Sequence, residues 1–166
     1  MPGEHTRPTS ARVKEAIFSI IQFHIEGRYV LDLFAGTGQM GIEALSRGAV
    51  HAVFLDNSRD AIAVILDNLK HTGLSGRATV VAGDALSYLR RKTEPFDVIF
   101  MDPPYHEALQ HSALEMIASF DLLREGGILM CESATGSLPL DLPPPYARGR
   151  ICRYGAQMVC PYRREQ

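Results

Sequence analysis

The chain has 166 residues, 46% of them hydrophobic, with a formal net charge of −2 and three cysteines. That length matches one packed core, and the near-neutral balance excludes the global basic field of a tight, nonspecific nucleic-acid binder, so any nucleic acid must be held by local patches. Cys131, Cys152 and Cys160 are odd in number and widely spaced, which fits neither a zinc site nor a disulfide framework, and the six histidines show no metal-ligand spacing. MPGEHTRPTS has no apolar signal core, and no stretch approaches the roughly 20 apolar residues of a membrane span. The expectation is a cytoplasmic protein with no membrane partner and no metal.

In chain order, Pro8-Thr9-Ser10 reads as a helix start, and Val13, Ala16, Ile17, Ile20 and Ile21 continue one apolar stripe through Ile25. Residues 1–27 are expected to form a leading segment with a helix packed on the sheet, placed on the substrate side by the resemblance given below, and 28–166 the sheet-bearing remainder of a single domain. From Arg28 to Ser133 apolar runs, turns and helical spacings alternate, which predicts βαβ units and a mostly parallel, Rossmann-like α/β sheet with helices on both faces. Strands are predicted at Tyr29–Phe34, His51–Asp56, Ala78–Ala82, Phe96–Met101 and Gly127–Glu132, and helices at Gly41–Arg47, Arg59–His71, Ala85–Arg91 and Glu107–Leu123. Runs such as AVFL and VIFM are apolar throughout, as strands covered on both faces must be. Prolines 139, 143, 144 and 145 exclude a helix after Ser133, so a loop replaces the next crossover. Arg148–Tyr162 reads as two strands around Tyr154-Gly155, an antiparallel hairpin at a sheet edge.

Two strings carry chemistry. Asp32-Leu33-Phe34-Ala35-Gly36-Thr37-Gly38 is a glycine turn directly after a buried strand, where missing side chains let backbone approach a nucleoside. It lacks a phosphate-gripping Lys-Ser or Lys-Thr, which suits a ligand without phosphates, and Asp32 offers a carboxylate to a positive group. Asp56, 24 residues on, ends the second strand, where an acid accepts ribose hydroxyls, and Asn57 follows it. Gly83-Asp84-Ala85 ends the third, with a carboxylate for an adenine amino group and a backbone N–H for a ring nitrogen. Asp84 is equally a helix cap by type and position.

Asp102-Pro103-Pro104-Tyr105 follows the apolar strand FDVIFM, at the carboxyl end where open α/β sheets bind ligands. The amino group of a base is a poor nucleophile because its lone pair is conjugated into the ring. A carboxylate and a proline-fixed carbonyl can each accept one N–H, favouring a tetrahedral, partly positive nitrogen, while Tyr105 gives the base a stacking face.

These residues resemble the class I S-adenosylmethionine-dependent methyltransferases and, within them, the bacterial 16S ribosomal RNA guanine-N2 methyltransferases of the RsmD type. The strings that carry the likeness are TRPTSARVKEAIFSI, VLDLFAGTGQMGIEALSRGA, FDVIFMDPPY and RYGAQMVCPY. The resemblance implies a seven-stranded sheet with one antiparallel strand, S-adenosylmethionine as methyl donor, and transfer to the 2-amino group of a guanine in ribosomal RNA or a small-subunit particle, by a monomer. It implies that Asp32, Phe34, Ala35, Gly36, Gly38, Asp56 and Asp84 line the cofactor site and that Asp102, Pro103, Pro104 and Tyr105 hold the guanine. Arg7, Thr9 and Arg12 would lie near the mouth, to contact RNA phosphates or close over the pocket. Members usually begin earlier, with a basic, glycine-rich segment, and often carry Glu where this chain has Asp56. Two alternatives stay open from the residues: an amino methyltransferase acting on DNA adenine or cytosine or on a protein glutamine, and a cofactor-fold RNA-binding module without turnover.

Overall fold

In the computed structural model, residues 10–91, 94–103 and 107–166 are described. Helix α1 (Ala11–Ile20) opens at Ser10, whose hydroxyl accepts the Val13 N–H at 3.2 Å. It is followed in order by β1 (Tyr29–Leu33), α2 (Gln39–Ser46), β2 (His51–Asp56), α3 (Arg59–Thr72), β3 (Ala78–Ala82), α4 (Ala85–Arg91), β4 (Phe96–Met101), α5 (Glu107–Ser119), β5 (Leu123–Ala134), β6 (Tyr146–Arg148), β7 (Cys152–Tyr154) and β8 (Gln157–Arg164). The sheet runs β3-β2-β1-β4-β5-β8-β6, with β7 also paired to β8. The β1–β5 pairings are parallel, and β8 is antiparallel to each of its neighbours.

Side-chain alternation divides the core between the two faces. Val30, Ala52, Phe54, Val98, Phe100, Ile128, Met130 and Val159 pack beneath α1, α2 and α3. Leu31, Leu33, Leu55, Ile99, Met101, Leu129, Cys131 and Cys160 pack beneath α4 and α5. This is the expected two-sided α/β sheet, and the four strands β1–β4 fall within one residue of their predicted ends.

Several boundaries differ for identifiable reasons. Phe34 is not strand: at φ 62° it already turns into the glycine loop. The leading helix stops at Ile20 rather than continuing to Ile25, although Ile21 and Ile25 remain buried in the turns that follow. Helix α5 ends at Ser119, not Leu123, because Asp121 adopts φ 51° and its carboxylate is gripped by Arg164 at 2.8 and 2.9 Å and by the Tyr146 hydroxyl at 2.7 Å. The freed Leu123 then pairs with Phe96, so β5 starts before the predicted Gly127 and crosses a bulge at the left-handed Gly126. The hairpin around Tyr154-Gly155 forms as predicted, but β8 is interior, between β5 and the outer pair. That outer position is shared by the two short strands β6 and β7, so the sheet has eight strands rather than seven. The proline-rich 135–145 is loop, as expected.

Candidate active site

Helix α2 begins at Gly38, which sits at φ 80° and has no side chain to cap the helix. A Cβ there would lie 3.3 Å from both Ile65 and Phe54, and the left-handed backbone disfavours any other residue. The uncapped start is satisfied from elsewhere: Asp32, on β1, accepts the Gly41 N–H at 3.0 Å. Asp32 is only 3% exposed. Its carboxyl is pushed up to about 8, first by burial and then by the nearby charges of Asp102 and Asp56, against the pull of the Gly41 N–H.

The loop between is tightly tied. The Ala35 N–H donates to Leu55 O at 2.9 Å and the Gly38 N–H to Ala35 O at 2.8 Å, while the Asn68 amide of α3 donates to Thr37 O at 3.0 Å. Phe34 in the left-handed region stores strain at this turn. Gly36, at φ 60°, has nothing within 4 Å of a would-be Cβ, so open space lies over it.

Asp56 closes the second side of the crevice. One carboxylate oxygen accepts the Gly36 N–H and the other the Ser58 N–H, both at 2.9 Å. A carboxylate has about four acceptor positions, so two remain for ligand hydroxyls after these bonds fix its orientation. Its main-chain carbonyl also takes the Gly83 N–H at 3.0 Å, joining the loops after β1, β2 and β3. If Asp56 holds the ribose, Asp56→Ala should weaken cofactor binding by about 1–3 kcal/mol, as read by calorimetry; unchanged affinity removes it from the site.

The third element is different. Asp84 is exposed and accepts the Ser87 N–H at 2.9 Å, the geometry of a cap on α4, and that bond holds its carboxyl below the usual range. Ala85, the first residue of α4, packs its side chain into the core. Asn57 is exposed beside Asp56.

Alternation places Asp102 on the same face as Asp32 and Asp56, because Asp32 pairs in register with Phe54 and Phe100. Asp102 and Pro103 are half-buried at the end of β4. Pro104, Tyr105, Arg7 and Thr9 lie outside the described residues. Arg12 is exposed on α1, its guanidinium 5.6 Å from the centre of the Tyr154 ring at the β7–β8 turn. The salt bridge Lys14–Glu43 at 3.4 Å and Arg47 over the Phe18 ring at 4.7 Å set α1 parallel beside α2. The start of α1 therefore lies at the same end as the glycine turn. Two arginines near the C-terminal end of the chain are engaged in ion pairs: Arg148 with Asp141 and Arg164 with Asp121.

Two residues escaped the sequence reading. Asn68 has no motif, and its role depends on α3 lying against the loop. Glu132, 3% exposed, stands one strand from Asp102 on the same face, since Met101 pairs with Cys131. Its signal was available: a lone acid ending the apolar run ILMCE, like Asp32 and Asp102 in theirs. Among the described residues no group of His, Cys, Asp and Glu is arranged to hold a metal, and no helix is long and apolar enough to cross a membrane.

The family model described as Conserved hypothetical protein 95 matches residues 1–163. The chain is 41% identical over 133 residues to the Bacillus subtilis protein YlbH, provisionally named an rRNA methyltransferase, covering 78% of this chain and 72% of that one. It is 34% identical over 127 residues to ribosomal RNA small subunit methyltransferase D of Escherichia coli, covering 76% of this chain and 64% of that one, just under two thirds. The solved structure of Escherichia coli yhhF, provisionally named a methyltransferase, superposes with a TM-score of 0.88 at 30% identity, over 96% of this chain and 87% of that one. Matched along almost its whole length and sharing this fold, the chain belongs to the Conserved hypothetical protein 95 family, the RsmD-type group of class I methyltransferases.

Proposed function

We propose that the protein transfers a methyl group from S-adenosylmethionine to the exocyclic 2-amino group of a guanine in small-subunit ribosomal RNA, in the cytoplasm and as a monomer. The observation that carries this is the row of acids on one sheet face, with Asp102 set beside Asp32 and the Asp56–Gly36 crevice. Relatives named as small-subunit rRNA methyltransferases supply the RNA class, and the Asp-Pro-Pro-Tyr string supplies the amino target.

The crevice fits the cofactor on three counts. Space lies open over Gly36 where a Cβ would stand. Asp56 is held with acceptor positions left for two hydroxyls. Asp32 is a buried acid among acids, which favours a positive ligand group. When bound, the cofactor supplies an electrophilic methyl on a sulfonium.

The chain's own residues do the rest. Asp102 accepts one N–H of the amine and the Pro103 carbonyl accepts the other, turning the nitrogen lone pair out of conjugation and toward the methyl. As nitrogen becomes tetrahedral and positive, the Asp102 carboxylate stabilises it, and the excess proton leaves to Asp102 or water. Reaching a guanine in this way requires the base to be swung out of its stack. Arg12, at the same end of the molecule, meets RNA phosphates beside the mouth.

The test is transfer of labelled methyl from S-adenosylmethionine to small ribosomal subunits lacking the modification, followed by nucleoside mass spectrometry. N2-methylguanosine is expected. Methyl on adenine, cytosine or protein, or no transfer despite cofactor binding, overturns the guanine assignment.

A further inference from the structure

We propose that Asp32 is a proton-exchanging positioning residue, holding a proton while the crevice is empty and releasing it to solvent when the positively charged cofactor enters. This rests on the methyl-donor reading above. The exchange is a simple one: the carboxyl O–H bond breaks, the proton passes to water, and the carboxylate left behind faces the cofactor's positive charge. No other bond changes.

The surroundings of Asp32 on every side argue for it. At the end of β2 stands Asp56 and just past β4 Asp102, both close enough to raise its proton affinity, with Glu132 one strand further on the same face. From α2 it receives only the neutral Gly41 N–H; Glu43 of that helix is turned to Lys14 and Arg47. Of the nearest cations on α1, Lys14 is thus paired and Arg12 lies over Tyr154. On α3 the neutral Asn68 amide is bonded to Thr37. Among the described residues no Lys, Arg or His offsets the charge of Asp32. A carboxylate that is 97% shielded and flanked by acids is costly when ionised, so the empty site keeps it neutral. A cation arriving in the crevice reverses that balance. One hydrogen bond survives both states, because the Gly41 N–H finds an oxygen acceptor in either form.

The consequence is linkage between cofactor affinity and pH. Below pH 8 the cofactor must displace a proton, so affinity rises with pH; above it the carboxylate is already ionised and the dependence flattens. S-adenosylmethionine alone should be titrated calorimetrically into the full chain at pH 7, in two buffers of different ionisation enthalpy, and its affinity followed from pH 6 to 9. Wild type should release close to one proton at pH 7, and Asp32→Asn none of that proton. The ratio of wild-type to Asp32→Asn affinity should rise roughly tenfold per pH unit below pH 8 and then level off. Ionisation of the cofactor's own amino group is common to both proteins and cancels in this ratio. Asn keeps an oxygen for the Gly41 N–H, and wild type supplies a test that needs no variant. Asp102→Asn, which removes a neighbouring negative charge, should move the break to lower pH. Binding by wild type without proton release, or parallel pH curves for wild type and Asp32→Asn, overturns this inference alone. Absence of any binding overturns it together with the methyl-donor reading.

Discussion

Replacing Asp102 by Ala should lower the rate of methyl transfer roughly 100- to 1000-fold while leaving cofactor affinity nearly unchanged above about pH 8, where Asp32 is ionised with or without this neighbour. The two effects separate because Asp102 follows β4, one strand away from the glycine turn, whereas the crevice itself is built by Asp56, Gly36 and the Asp32–Gly41 bond. In the proposed mechanism Asp102 interacts most strongly when nitrogen gains positive charge, which happens only along the reaction path, so its loss should fall on kcat. Asp102→Asn should lie between, since an amide oxygen accepts the N–H without offering negative charge. Single-turnover transfer of labelled methyl, measured beside calorimetry of the cofactor alone, distinguishes the outcomes. Turnover equal to wild type in Asp102→Ala removes Asp102 from the chemistry. A large loss of cofactor affinity would instead place it in the crevice.

Much of this site was legible because βαβ punctuation is local. Apolar runs such as AVFL and FDVIFM end in an acid and a turn, VLDLF carries its acid two residues before its turn, and strand ends in a parallel sheet converge on one crevice. Asp32, Asp56 and Asp102 could therefore be placed from sequence. What each carboxylate does in the empty protein could not. That Asp32 caps α2 through Gly41 depends on Gly38 having no side chain, and that Asp84 caps α4 depends on where the helix starts. The end of α5 was invisible for a related reason. Ala-Ser-Phe-Asp-Leu-Leu keeps helical spacing, and only the clamp of Arg164 and Tyr146 on Asp121, from 43 and 25 residues away in sequence, turns the chain there. The interior place of β8 likewise follows from β5 being long enough to pair with it along seven residues.

Gly41→Ala tests how strictly the packing behind the site enforces its geometry. On propensity alone, Ala should stabilise a helix interior by about 1 kcal/mol. Here the added Cβ would lie 2.4 Å from Phe54 Cε2 and 2.7 Å from Cζ, and Phe54 is fully buried. The ring has little room to retreat, because it is enclosed in the core that it shares with Ile65. Helix α2 must instead shift outward, lengthening the 3.0 Å bond from the Gly41 N–H to Asp32. Overpacking of this kind costs about 1–3 kcal/mol, and the weakened bond adds to it, so the clash outweighs propensity and the net loss should be about 2 kcal/mol. For a chain of this size that lowers Tm by about 5 °C. Cofactor affinity should fall as well, since the turn and Asp32 move together. Phe54→Leu, which removes the edge that clashes, should suppress much of the effect, giving a coupling of about 1 kcal/mol or more in a double-mutant cycle. Neutral or additive behaviour would mean that α2 and β2 accommodate the methyl without moving the acid, and that the site is less rigidly held by its second strand than these contacts require.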